Sequence, residues 1–394
     1  MSLDLQQLLP QVNALGDSLS QQLERMDQTI PTLLQRLEEV SNADPDLLQQ
    51  KIHRAGENWP GAIPTQEPIR TSYPVPNLPE TYTVISADGS QIHPDRHAAA
   101  RFYLINIGSI RIRYGTGEVP TTATDSSLFY QEQDLYDEQG AEIGAAIING
   151  RRDVSELGAL VREAESCVDE PSISLLDNGL LLWLAAQAGG TPSRHVNRLL
   201  KDYIDHLSLL RKRNTAIAGF IDRPRHSNVI ALLHLDSLVL NEITEEVLRN
   251  TPYLGFSDRA LFNRVLEPGY RSALFIQNSR LNRDFREKGH EVYFFYLHPG
   301  GQNQVVRVEV PHWVASSSTL LNLVHAAIVE QCKLTGGYPY ALVRAHELAV
   351  VNAADRQVLE SMIHNALLQH KRIPQHSLKS ETKRWTGKRR RYRI

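Results

Sequence analysis

Two carboxylates stand in the same local setting. Asp88 in VISADGS and Asp177 in SLLDNGL each close an apolar, β-rich run, and each is followed by glycine within two residues. Strand-end carboxylates project into the crevice where open α/β sheets bind ligands. Two of them held close repel each other and call for a hard divalent cation. Mg2+ and Mn2+ prefer such oxygen ligands, and a pair of ions can clamp the attacking and leaving oxygens of a phosphodiester. The same dipeptides also make plain turns, where an Asp caps the next helix and does no chemistry.

A third acid would complete the set. Glu156, Glu163 and Glu165 lie on the helix predicted over GRRDVSELGALVREAES. Glu156, beside Leu157 and Leu160, is the one placed to point inward, although each also suits a solvated helix face. His346 sits among apolar residues in ALVRAHELAVV. It reads as a core histidine, or as a metal ligand or proton carrier at a phosphate. Arg225 in DRPRHS and Arg344 offer the planar donor fork that suits phosphate. Tyr338 and Tyr340 in GGYPY either stack on an unpaired base or pack beneath a turn.

Several chemistries lack their motifs. No GxxxxGK[ST] is present for a phosphate-binding loop, and no GxSxG for a serine hydrolase elbow. His346-Glu347-Leu348 does not extend to HExxH, because position 350 is Val. Ser86 stands two residues before Asp88, so the acid-x-acid pattern of phosphatases is missing. Cys167 and Cys332 are too few and too far apart for a zinc site or a disulfide framework.

Alternating strands and helices must position these groups, which predicts an α/β fold with a mixed sheet. Residues 1–41 carry a 3-4 apolar seam from Leu5 to Val40 and read as a helical arm that packs on a partner subunit or on its own domain. Pro10 and Pro31 argue against one unbroken helix. Residues 42–80 hold seven prolines from Pro45 to Pro79 and read as an extended linker. The core follows over 81–370. Its first strand is expected to stop at a turn, Asp88-Gly89-Ser90. SISLLDNGLLLWLAAQ is expected to give a strand, a turn and an apolar helix.

Composition bounds the setting. The 394 residues are 41% hydrophobic and 22% charged, with a net charge of -3. The start lacks a secretory pattern, and no apolar run approaches the roughly 20 residues of a bilayer span, so a cytoplasmic protein with no membrane contact is expected. The charge is uneven. Residues 371–394 hold ten Lys or Arg and one acid, giving +9 against -12 for the rest. This basic tail, with Lys383, Lys388, Arg389, Arg390, Arg391 and the aromatics Trp385 and Tyr392, is a footprint for nucleic acid, or else a solvated tail.

Five stretches, in order, resemble the NurA nuclease family: VISADGSQI, SLLDNGLLLW, AGFIDRPRHSNVIALL, PGYRSALFIQNS and GGYPYALVRAHELAVV. The resemblance runs from about Tyr82 onward. It implies a ribonuclease H-like core and a Mn2+-dependent (or Mg2+-dependent) deoxyribonuclease that degrades single strands and, from 5′ ends, duplexes. It implies a homodimer working beside the hexameric HerA translocase in DNA end processing. The family's metal-binding acids fall on Asp88 and Asp177, its glutamate on Glu156 (or Glu165), and its late histidine on His346. In one departure, Asn178 and Gly179 stand where the family usually has Gly and Ser. Two other readings remain: an actin-like ATP-binding protein, and a non-catalytic DNA-binding subunit.

Overall fold

The computed structural model describes residues 3–95, 100–167, 170–184, 194–301 and 305–370. The basic tail, with Lys383, Lys388, Arg389, Arg390 and Arg391, lies outside the described residues, as do residues 185–187 of the apolar helix expected in LLLWLAAQ. The main elements in chain order are α1 (Leu5–Ser41), α2 (Pro45–Ala55), β1 (Ala62–Pro64), β2 (Tyr82–Ile92), β3 (Tyr103–Tyr114) and β4 (Thr121–Phe129). Then come α3 (Ala145–Ala164), β5 (Ser172–Leu176), α4 (Arg194–Lys212), β6 (Ala216–Ile221), α5 (Asn228–Ser237), β7 (Phe275–Gln277), β8 (Val292–Leu297) and β9 (Val306–Pro311). Three helices close the described chain: α6 (Ser318–Thr335), α7 (Tyr340–Ala349) and α8 (Ala353–Gln369). Among the described residues, no helix is long and apolar enough to cross a membrane.

The chain divides into two compact units. The second comprises residues 78–219, 319–327 and 338–394, and it holds the strand-end acids. Its strands lie in the order β4-β3-β2-β5-β6. β2, β3 and β4 form an antiparallel meander, and β5 and β6 continue the sheet parallel to β2. A meander followed by two parallel strands, each reached through a helix, is the ribonuclease H-like order. The sheet is mixed, as the alternation of elements predicts. α3 builds its inner face from Val154, Leu157, Val161 and Ala164, all buried at helical spacing. α4 does the same with Val196, Leu199, Tyr203, Leu207 and Leu210.

The first unit comprises residues 1–77, 220–318 and 328–337. Its strands run β1-β7-β8-β9, all antiparallel. Its core joins Leu33, Leu37 and Val40 of α1 to Val229, Leu232 and Leu233 of α5 and to Phe275, Phe294 and Tyr296 of the sheet.

Three expectations change. α1 is a single 37-residue helix with both prolines inside it. Pro10 costs one bond near the helix start, and Pro31 is held by the burial of Ile30 and Leu33 on either side. The second half of the seam is therefore covered by its own unit, while Leu5, Leu9, Val12, Leu15, Leu19 and Leu23 are exposed. The stretch 42–80 is not simply extended, because Asp44 caps α2 and Pro45 takes a first-turn position where no donor is needed. Finally, β2 does not stop at Asp88. It runs through Gly89 and Ser90 to Ile92, because β3 pairs with it over the whole length, Tyr82 opposite Tyr114 through Ile92 opposite Leu104.

Candidate active site

The register of the sheet aligns the two aspartates. On the parallel strands Ser86 pairs with Leu175. Two residues further on stand Asp88, within β2, and Asp177, just past the end of β5, at the same level of neighbouring strands. Neighbouring strands lie about 4.8 Å apart.

Glycines let the surrounding elements close on this level. Asp88 is paired with Gly108 of β3. A Cβ at Gly108 would lie 2.6 Å from Ala345 O, Ala349 N and Leu348 Cβ, so the bare glycine lets α7 settle on the strand. α7 meets it with small buried residues, Ala341, Ala345 and Ala349. That approach brings His346 Nδ1 to 2.7 Å from Asp88 Oδ2. An ionised carboxylate only accepts, so the proton is on Nδ1. The other oxygen, Asp88 Oδ1, accepts from Gly89 N–H at 2.8 Å.

Gly89 points to the opposite face of the strand, toward α3. A Cβ there would come within 2.8 Å of Glu156 Oε1 and 2.6 Å of Arg152 Cγ. The strand is bare at the point where the glutamate reaches it. On β6, Gly219 plays the same part. A Cβ at that position would lie 2.3 Å from Asn178 O, so the turn that carries Asp177 rests directly on the strand.

Glu156 is 5% exposed, and its Oε1 has no hydrogen-bond partner. Arg152 Nε lies 3.1 Å from that oxygen, close enough for an ion pair, but its N–H does not point at it. Burial pushes the Glu156 carboxyl well above its usual range, and the charges of Asp153, Asp88 and Asp177 push it the same way, with Arg152 opposing them. The acids of β2, α3 and the β5 turn therefore share one electrostatic field.

The competing glutamates are occupied elsewhere. Glu163 accepts from Ser109 at 3.2 Å and pairs with Arg111 at 3.4 Å. Glu165 lies past the end of α3 and pairs with Arg213 at 2.9 Å. Tyr338 and Tyr340 are half-buried at the entry to α7, and Arg344 is paired with Glu347 on that helix. Arg225 is exposed in the loop after β6 and belongs to the other unit. Arg152 escaped the sequence reading, although its place four residues before Glu156 on a helix was a usable signal for an ion pair.

Three carboxylates, one with an orphaned buried oxygen, are hard oxygen donors of the kind a divalent cation takes, and the imidazole of His346 stands beside Asp88. Among the described residues, no three His, Cys, Asp or Glu side chains are gathered closely enough to hold an ion as they stand.

The NurA domain profile matches residues 82–351. Among solved structures, the NurA nuclease from Sulfolobus solfataricus is similar at 15% identity and a TM-score of 0.48, covering 90% of this chain and 98% of that one. A NurA structure with manganese is similar at 11% identity and a TM-score of 0.38, covering 88% and 98%. The catalytic domain of human endonuclease V is similar at 14% identity and a TM-score of 0.32, covering 81% and 96%. A search of curated proteins found no match. With the profile spanning both aspartates, the buried glutamate and the α7 histidine, the chain belongs to the NurA nuclease family.

Proposed function

We propose that this chain is a metal-dependent deoxyribonuclease whose centre is Asp88, Glu156, Asp177 and His346. The observation that carries this reading is Glu156: a buried carboxylate with an unbonded oxygen, in the field of Asp88 and Asp177. A buried charge left without partners costs several kcal/mol unless a cation joins it. When Mn2+ or Mg2+ is bound, it supplies an activated water at neutral pH and charge stabilisation for the leaving oxygen. Asp88, Glu156 and Asp177 would hold it, with His346 beside them either as a further ligand through Nε2 or as a proton carrier.

The protein's own groups do the rest. Asp88 orients the imidazole through Nδ1 and leaves Nε2 free to carry a proton at the scissile phosphate. The exposure of Asp177 leaves room for a nucleic acid to approach that side. Arg225, Arg344 and the basic tail are the proposed backbone contacts, so binding should weaken steeply with salt. Tyr338 and Tyr340 are the proposed stacking residues. Single-strand cleavage and 5′ to 3′ degradation of duplexes, a homodimer, and action in the cytoplasm beside a HerA-type translocase in DNA end repair complete the proposal.

The test is cleavage of 5′- and 3′-labelled single- and double-stranded DNA by purified protein in Mn2+, Mg2+ or EDTA, with Asp88→Asn alongside. The expected result is metal-dependent degradation that falls to background in EDTA and in the variant, with DNA binding kept. Cleavage by Asp88→Asn at a comparable rate would remove Asp88 from the centre.

A further inference from the structure

Glu156 has a cationic neighbour one helical turn earlier on α3. Arg152 Nε lies 3.1 Å from Glu156 Oε1. Its fork is turned instead to Asp153, with Nη2 at 2.8 Å and Nε at 3.3 Å from the same Oδ1. Nη1 donates to Gln91 Oε1 at 3.3 Å, and the Gln91 amide donates in turn to Asn149 Oδ1 at 3.2 Å. The stem lies across Gly89, next to Asp88. Only 22% of the Arg152 side chain and 7% of the Glu156 side chain are exposed.

Burial works against the Arg152 charge, yet the carboxylates of Glu156, Asp153 and Asp88 outweigh it and hold the proton more firmly than usual. A guanidinium grips a carboxylate best through two parallel hydrogen bonds. Toward Glu156 it makes none, and offers charge alone. A cation held in place by other residues, neutralising an acid without bonding to it, can be replaced by a stronger one.

We propose that Arg152 is the resident counter-cation of the carboxylate site, balancing Glu156 in the metal-free protein and competing with the divalent ion for that charge. The inference rests on the metal site proposed above. Arg152 is then a positioning residue that sets metal affinity and is not a ligand. Its loss acts oppositely on two states. The metal-free protein loses the charge that balances a buried acid, while the divalent ion loses a repelling neighbour. An arginine with only a structural role would weaken both.

The experiment measures Mn2+ binding, by electron paramagnetic resonance of the free ion, and thermal unfolding in EDTA. It compares the wild type, Arg152→Met, Glu156→Gln and the double variant. Arg152→Met is expected to lower the unfolding midpoint in EDTA and to tighten Mn2+ binding on the order of tenfold. In the Glu156→Gln background, the same substitution is expected to leave the midpoint nearly unchanged. Should Arg152→Met fail to fold by circular dichroism, Arg152→Gln, which keeps a donor for Asp153, carries the same comparison. A folded variant with Mn2+ affinity equal to or weaker than the wild type overturns the inference and leaves the metal site standing. A wild type that binds no Mn2+ overturns the metal site, and the inference with it.

Discussion

Each unit of this chain buries a cluster of charge, and the two clusters are built on opposite terms. In the first unit, Arg307 is wholly buried and every arm of its fork is used. It donates to Glu309 at 2.9 Å, Asn228 at 2.8 Å and Gln277 at 2.8 Å, with its Cζ 3.6 Å from the centre of the Phe294 ring. Asp258, also buried, accepts from Val229 N, Ile230 N and Tyr296 Oη between 2.7 and 3.0 Å. In the second unit, Glu156 is also buried, has no hydrogen bond at Oε1, and feels the charges of Asp153, Asp88 and Asp177. A satisfied buried network holds a structure in one arrangement. An unsatisfied buried acid is a local cost that a bound cation or water can offset. On the reading proposed above, the first cluster serves the fold and the second is held for a metal ion.

That contrast can be broken or sharpened by substitution. The largest stability effect is expected at Arg307. Arg307→Ala leaves Glu309 buried and unpaired, and should cost about 3–5 kcal/mol in urea unfolding. A loss below about 1 kcal/mol would place the first cluster among weak surface pairs. A smaller stability loss with a larger functional one is expected at Gly219. The added methyl of Gly219→Ala meets Asn178 O, so the turn carrying Asp177 must shift. Strain of this kind costs about 1–3 kcal/mol, and Mn2+ affinity should fall with it. Unchanged Mn2+ binding in a folded Gly219→Ala would separate the Asp177 turn from the site.

The sequence made some of this legible, for reasons that can be traced. Asp88 and Asp177 stood out because each ends an apolar run before glycine, and the alternating β and α signals predicted the mixed sheet that carries them, though not its strand order. The choice of Glu156 over Glu163 and Glu165 rested on its apolar neighbours Leu157 and Leu160, a feature of helix periodicity. What could not be read was through-space. The run Asp88-Gly89-Ser90 has the composition of a turn, and only pairing with β3 keeps it extended. Gly108 looks unremarkable until α7 lands on it, and no local pattern joins residue 108 to residue 345. Arg152 sits on the same face of α3 as Glu156, but its place across Gly89 depends on how the helix meets the sheet. The division into two units was hidden as well, since each gathers segments far apart in the chain.

The most direct test of the account is the thermal stability of Glu156→Gln against the wild type, each in EDTA and in Mn2+. The carboxyl of Glu156 is held well above its usual range, so its charged form is disfavoured by the fold. A neutral residue of the same shape should leave the metal-free protein as stable as the wild type or more so. Mn2+ should raise the midpoint of the wild type by binding the native state, and should fail to raise that of the variant. A variant less stable in EDTA that still gains from Mn2+ as the wild type does would contradict the account, because Glu156 would then be a structural acid and the metal would bind elsewhere.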